Sequence, residues 1–341
     1  MERERTRMKK NVRVIALLLV MVFLITGCAK NNETNNSNSK DNVGETQTPD
    51  SAESDAVEKT VLRIGMISST DAIPFVLIDK NGLADKYNLD IQFEVFKSAK
   101  DRDAALQAGE LDGFLADLIA VCMYQNANLD VKITGSTDGD FVLLAGKNSG
   151  ITDISQIKGK SIAISENTLI DYTLDKILEG NNLKSDDVEK EIVDRIPDRL
   201  ELLRNDKIDL GLMPEPFASL ALDSGAVKLG TASEYGLFPA ISAFTQTAID
   251  EKADAIRDFY KAYNEAVEYM NNTDISEYED AVIEAAGYPE EMRGNIKLEK
   301  FRTNELPSKE GVEAAIAWAS ERELCSPSLT YDQLVYNVDS E

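Results

Sequence analysis

The feature that most constrains the fold is a strand that turns straight into a helix, present twice in the chain. Residues 61–67, Val-Leu-Arg-Ile-Gly-Met-Ile, are short, apolar and β-branched, the composition of a buried strand. They stop in Ser68-Ser69-Thr70-Asp71, all N-cap residue types. A helix is predicted over residues 72–80, with Pro74 in its first turn and Gly82 at its end. Such a junction aims free backbone N–H groups and short hydroxyls over the sheet edge, where open α/β sheets bind small ligands. The second copy is Ser161-Ile162-Ala163-Ile164, which runs into Ser165-Glu166-Asn167-Thr168 and a helix over 169–178. The repeat predicts two such edges facing each other.

The chain has 341 residues, enough for two lobes with their own cores. Its net charge of −25 would repel nucleic-acid phosphates, so no nucleic-acid partner is expected. There is no histidine, which removes Ser-His-Asp and Cys-His catalysis and histidine metal sites together. The three cysteines, Cys28, Cys122 and Cys325, give neither zinc spacing nor a redox CxxC. No enzymatic activity, catalytic residue, metal or cofactor is expected.

The first 13 residues are basic, and residues 14–24 are eleven uninterrupted apolar residues. Eleven is too few to span a bilayer but suits the core of a signal peptide. Leu24-Ile25-Thr26-Gly27-Cys28 then resembles a bacterial lipobox, whose cysteine thiol receives the lipid. Residues 1–27 are therefore predicted to be a lipoprotein signal peptide and Cys28 the lipidation site. Residues 28–59, rich in Asn, Ser, Thr, Asp and Glu, read as a disordered tether. The expected location is the outer face of the cytoplasmic membrane, or the periplasm, with the lipid on Cys28 as anchor.

Further strands are predicted at 89–96, within 110–117, and at 131–135, 141–145, 208–213, 227–229 and 240–244, and amphipathic packing helices at 250–270 and 310–321. The chain should cross between lobes near residues 141–145 and 240–244. Lobe one is then 60–142 plus 243–341, and lobe two 143–242. Phe75, Tyr124, Tyr172, Phe217 and Phe238 are expected mainly in cores. Cys122 and Cys325 are expected as reduced core thiols without a bridge, because nothing in the sequence aims their segments at each other.

Four segments carry a family resemblance. They are residues 74–83 (P-x(7)-G-L), Ala105-Leu106-Gln107-Ala108-Gly109-Glu110-Leu111-Asp112, Ile157-Lys158-Gly159-Lys160-Ser161-Ile162-Ala163 and Met213-Pro214-Glu215-Pro216. In this order and spacing the chain resembles the lipid-anchored substrate-binding proteins of ABC importers, in the group that binds nitrate, alkanesulfonates, taurine and thiamine-pyrimidine precursors. The resemblance implies the α/β, two-lobed type II periplasmic-binding-protein fold: two mixed sheets flanked by helices and joined by two crossing strands. It also implies a monomer that holds a small-molecule ligand between the lobes and delivers it to an ABC permease and its ATPase.

The turns at the strand ends supply the candidate ligand contacts Ser68, Ser69, Thr70, Asp71, Asp117, Thr137, Asn167, Thr168 and Glu215. Ser69, Thr70, Asn167 and Asp117 have an alternative role as helix caps. A sulfonate or nitrate site calls for arginine or lysine near the helix starts. Residues 68–72, 165–171 and 213–219 contain neither, and carry Asp71, Glu166, Asp171 and Glu215 instead. That pattern favours an aminopyrimidine or other nitrogen heterocycle. The alternatives are a sulfonate, taurine or nitrate held by helix N-termini, or a ligand-sensing receptor lipoprotein without transport. The pyrimidine-synthase chemistry of the same fold needs a histidine this chain lacks.

Overall fold

The computed structural model describes residues 58–339. The signal peptide, Cys28 and nearly all of the expected tether lie outside the described residues.

Ten strands form two five-stranded mixed sheets. The first sheet holds β1 (Thr60–Ile67), β2 (Leu89–Phe96), β3 (Gly113–Asp117), β4 (Val131–Ser136) and β10 (Ala240–Thr245), in the order β2-β1-β3-β10-β4. The second holds β5 (Phe141–Ala145), β6 (Ser161–Ile164), β7 (Glu189–Ile192), β8 (Leu210–Pro214) and β9 (Val227–Thr231), in the order β7-β6-β8-β5-β9. The two orders correspond strand for strand. Each sheet has three parallel neighbours, and then one antiparallel strand, β10 or β5, inserted beside the third.

The helices that bear on the site are α1 (Ile73–Lys80), α2 (Ala99–Gln107), α3 (Leu118–Asn126), α4 (Leu169–Gly180), α5 (Ile196–Arg204) and α6 (Phe217–Asp223). A long helix α7 (Gln246–Asn272), α8 (Glu279–Ala286) and α9 (Lys309–Glu321) follow β10. Local chemistry explains their starts. Pro74 sits in the first turn of α1, where its missing N–H costs nothing. Asp117 caps α3 by accepting from Ala120 N at 2.8 Å, and Thr168 caps α4 by accepting from Ile170 N at 3.2 Å. Ser69 makes no side-chain cap; its hydroxyl is spent on Asp71 instead.

The first sheet is covered by α1 and α7, where Phe75 packs on Phe259 and Tyr263 with centroids 5.6 and 4.8 Å apart. Its other face holds α3 and α9 around Val121, Ile133 and Trp318. The second sheet has separate cores on its two faces, one built on Leu174, Ile177 and Leu210, the other on Leu144, Leu203 and Met213. Phe75, Tyr124 and Tyr172 are buried; Phe238 is exposed beneath the Arg302 guanidinium. Strand β7, Glu-Lys-Glu-Ile, escaped the sequence reading because a charged edge strand carries no apolar alternation.

The passages between sheets fall slightly earlier than expected. Strand β5 pairs with β8 and β9 along its whole length, and β10 with β3 and β4. Neither strand itself crosses. Residues 137–140 and 232–239 make the two passages, so expected boundaries at 142/143 and 242/243 fall inside strands that each belong to one sheet. Apolar runs reveal that a strand exists but not which partners its backbone will find.

Candidate ligand-binding site

The carboxyl ends of β1, β3, β6 and β8 converge on a cleft between the two sheets. An inner cavity of about 80 Å³ is lined by Ile67, Ser69, Asp71, Leu115 and Asp117 from the first sheet's side. From the second side come Phe141, Ser165, Thr168, Ile170, Ile196 and Pro214. Beside it lies an outer cavity of about 460 Å³ that also carries Glu166 and Asn167. Arg102, Asp117, Ser165, Thr168 and Asp194 line both, so the two are compartments of one cleft.

Of the nine residues named from sequence, Ser69, Asp71, Asp117 and Thr168 line the inner cavity, and Asn167, at a positive φ of 57°, lines the outer one. Ser68, Thr70, Thr137 and Glu215 line neither. Thr137 is buried behind the wall, where its hydroxyl donates to Asp71 Oδ2 at 2.8 Å. Glu215 turns back on its own helix and accepts from Ser219 N at 3.0 Å. Burial, only partly offset by the Ser69 and Thr137 hydroxyls, raises the pKa of Asp71. Burial likewise pushes Asp117 up to about 6, against the opposing pull of Arg102.

Two arginines were missed. Residues 68–72, 165–171 and 213–219 contain no cation, but the fourth residues of α2 and α5 reach the cleft from the side. They are Arg102 and Arg199, each 2 % exposed. The expectation of a cleft without cations is overturned, because those helices start one β-α unit further along the chain. A signal existed in the sequence. Asp101-Arg102, Leu106 and Leu111-Asp112 recur as Asp198-Arg199, Leu203 and Ile208-Asp209 at a constant offset of 97 positions.

The two guanidinium groups are held alike and neutralised differently. Arg102 Nη1 donates to Leu115 O at 2.8 Å, and Arg199 Nη1 to Leu212 O at 3.0 Å, the third residue of β3 and of β8. Arg102 also donates from Nε and Nη2 to the Asp103 carboxylate at 3.0 and 2.7 Å, and from Nη2 to Tyr124 Oη at 3.0 Å. Arg199 Nη2 donates to Ser165 Oγ at 2.7 Å and to the Asp194 carbonyl at 3.3 Å. Its Nε is buried with no partner. Among the described residues no carboxylate forms an ion pair with it. Burial pushes Arg199 down to about 10, with only the field of Asp194 opposing. For Arg102 burial acts the same way, but Tyr124, Asp103 and Asp117 outweigh it and the net shift is upward. The acidic residues of the strand-end turns form no ion pair with Arg199; Asp171, for one, pairs with Lys190 at 2.5 Å.

A model of the NMT1-like family matches residues 55–283, well over half of the chain. The chain belongs to the NMT1-like family. Its relatives include a Brachyspira hyodysenteriae protein that carries the name of an ABC transporter periplasmic binding protein. It is 22% identical over 77% of this chain and 75% of the relative. A Bacillus subtilis relative, named as an aliphatic sulfonates-binding protein, is 25% identical over 90% of this chain and 87% of its own. Among solved structures, the alkanesulfonate-binding protein SsuA from Xanthomonas axonopodis pv. citri, bound to MOPS, superposes with a TM-score of 0.69. It is 18% identical, over 83% of this chain and all of that one. This NMT1-like chain therefore shares the periplasmic-binding-protein fold, and its homologues are substrate-binding proteins of ABC importers, an extracytoplasmic class. Among the described residues no helix is long and apolar enough to cross a membrane, and no group of His, Cys, Asp and Glu is arranged to hold a metal ion.

Proposed function

We propose that this protein is the substrate-binding component of an ABC importer, and that it captures a small organic anion in the cleft between its two sheets. The observation that carries this reading is Arg199, a buried guanidinium that lines the cavity with no carboxylate partner and with its Nε unsatisfied. A buried cation left without a counter-charge is costly. A ligand oxyanion is the missing partner, and arginine meets such groups with directed, charge-assisted hydrogen bonds. The sulfonate names of the B. subtilis and X. axonopodis relatives agree with an anionic head group. Across the cleft Asp71 and Asp117 face the same cavity, so the other end of the ligand offers N–H or hydroxyl donors. An uncharged nitrogen heterocycle, which a cleft without cations would favour, leaves Arg199 unpaired. A ligand touching both sheets favours the closed arrangement by its differential contacts, and that form would be delivered to a permease and its ATPase.

The test is a thermal-shift panel on the protein lacking residues 1–57, since a ligand that binds only the folded state must raise its melting temperature. Alkanesulfonates, aminosulfonates, carboxylates and neutral aminopyrimidines form the panel. Shifts with the anions, lost in Arg199→Met, are expected. Shifts with neutral heterocycles alone, retained in Arg199→Met, would overturn the reading.

The lipid anchor is part of the same proposal. Cys28 in Leu24-Ile25-Thr26-Gly27-Cys28 would carry it, with the tether spacing a monomeric binding protein from the membrane. Cys28→Ala should move the protein from the membrane to the soluble fraction. A variant that loses its signal peptide and stays membrane-bound rules the anchor out.

A further inference from the structure

We propose that Cys122 and Cys325 are joined by a disulfide in the exported protein, a crosslink confined to the first sheet's half of the molecule. Cys122 lies on α3, one turn past the cleft residue Asp117, and Cys325 lies in the turn that follows α9. In the structure both are free, as expected from the sequence, but they are neighbours, which the sequence did not indicate. Helices α3 and α9 pack against each other, and both cysteines sit in the same apolar core, near enough for each thiol to act on the other's ionisation. Cys325 Sγ has only one other polar contact, the Ile316 carbonyl at 3.9 Å. With Cys28 in the lipobox, these two are the remaining cysteines of the chain. Chain segments separated by 203 residues have thus brought the two thiols together in an extracytoplasmic class of protein, where disulfides persist.

The chemistry is a thiol–disulfide exchange with a disulfide carrier of that compartment. One thiolate attacks the carrier disulfide and releases one carrier thiol; the second thiolate displaces the other. The two cysteines lose two protons and two electrons, the carrier is reduced to two thiols, and one Sγ–Sγ bond forms. Burial raises the pKa of both thiols, and a shielded thiol is a poor nucleophile. The exchange therefore belongs to the folding chain, before the turn after α9 closes over α3. Both ends of the bridge lie on one side of the cleft. The loop it closes contains the whole second sheet and both passages, so the crosslink restrains the unfolded chain without tying the two sheets to each other.

The full chain is isolated from membranes of a host with an oxidising extracytoplasmic space, denatured in an alkylating reagent without reductant, digested and weighed. In parallel, reduced and unfolded protein is refolded with glutathione disulfide. The expected result in both samples is a peptide pair linked through Cys122 and Cys325. Neither residue should be alkylated, and the linked protein should melt several degrees above the same protein unfolded and refolded in reductant. The link should vanish in both Cys122→Ser and Cys325→Ser. Alkylation of both cysteines in the membrane sample, or glutathione adducts in place of the link after refolding, would overturn the proposal.

Discussion

Arg102 and Arg199 occupy equivalent places in the two halves of the molecule, and the charge difference between their environments comes from the next residue in the chain. Each is the fourth residue of its helix, each is 2 % exposed, and each spends Nη1 on the carbonyl of the third residue of the following strand. Arg102 is followed by Asp103, whose carboxylate takes its Nε and Nη2. Arg199 is followed by Leu200, which is buried in an apolar core and offers nothing polar. The first arginine has its counter-charge beside it. The second is an incomplete ion pair, the kind of local conflict that marks a functional site. A protein that only needed stability would have gained from an apolar residue there.

The largest effect expected from this difference is on binding. Arg199→Met should weaken the anionic ligand found in the screen by about 100-fold or more, since truncating one side of a buried charge pair costs roughly 3 kcal/mol. Its ligand-free melting temperature should hold or rise, because an unpaired buried charge is removed. Calorimetric titration and a melting curve measure both, and retained affinity would erase the distinction between the halves. Arg102→Met should do the reverse. It leaves Asp103 and Tyr124 without their cation and should cost about 2 kcal/mol, a melting point lower by roughly 4–8 °C. Affinity for the anion should change much less than in Arg199→Met.

Asp117 sharpens the comparison through pH. Its folded pKa of about 6 lies above the ordinary 3.8, so the folded state holds the proton more tightly than the unfolded chain. The group costs nothing below pH 4, and stability falls as pH rises from about 4 to 6. Asp71, raised by burial too, adds a slope of the same sign. Asp117→Asn, which keeps a competent cap for α3, should flatten part of that slope in melting curves between pH 4 and 7. If the ligand presents N–H donors to Asp117, wild-type affinity should increase over the same range and the variant's should not. The smallest effect is expected from Ser165→Ala. It removes the hydroxyl that accepts from Arg199 Nη2 and should weaken binding about 5-fold, less than a full charge-assisted hydrogen bond, because Ser165 acts on the ligand by orienting the guanidinium. A loss as large as that of Arg199→Met would mean that Ser165 holds the ligand directly.

Much of the fold was legible along the chain. The alternation of apolar runs with capped helices predicted two α/β halves, and the caps at Asp117 and Thr168 form as their residue types require. Ser69, Asp71, Asp117 and Thr168 line the cavity because strand ends in such sheets face a cleft. Those features depend on neighbours a few residues away, so the sequence carries them openly. Three things were not legible in that way. The strands β5 and β10 had to find their sheets, Cys122 and Cys325 had to meet in one core across 203 residues, and Arg102 and Arg199 had to reach one cleft from helices other than those at the strand-end turns. Each is decided by which segments pack together, and packing partners are chosen by burial over the whole molecule. The sequence determined that an arginine stands before Leu200 and another before Asp103. Only the tertiary structure decided that both would be buried on the same cavity, where low dielectric makes the missing carboxylate costly and gives the proposed anion site its physical reason.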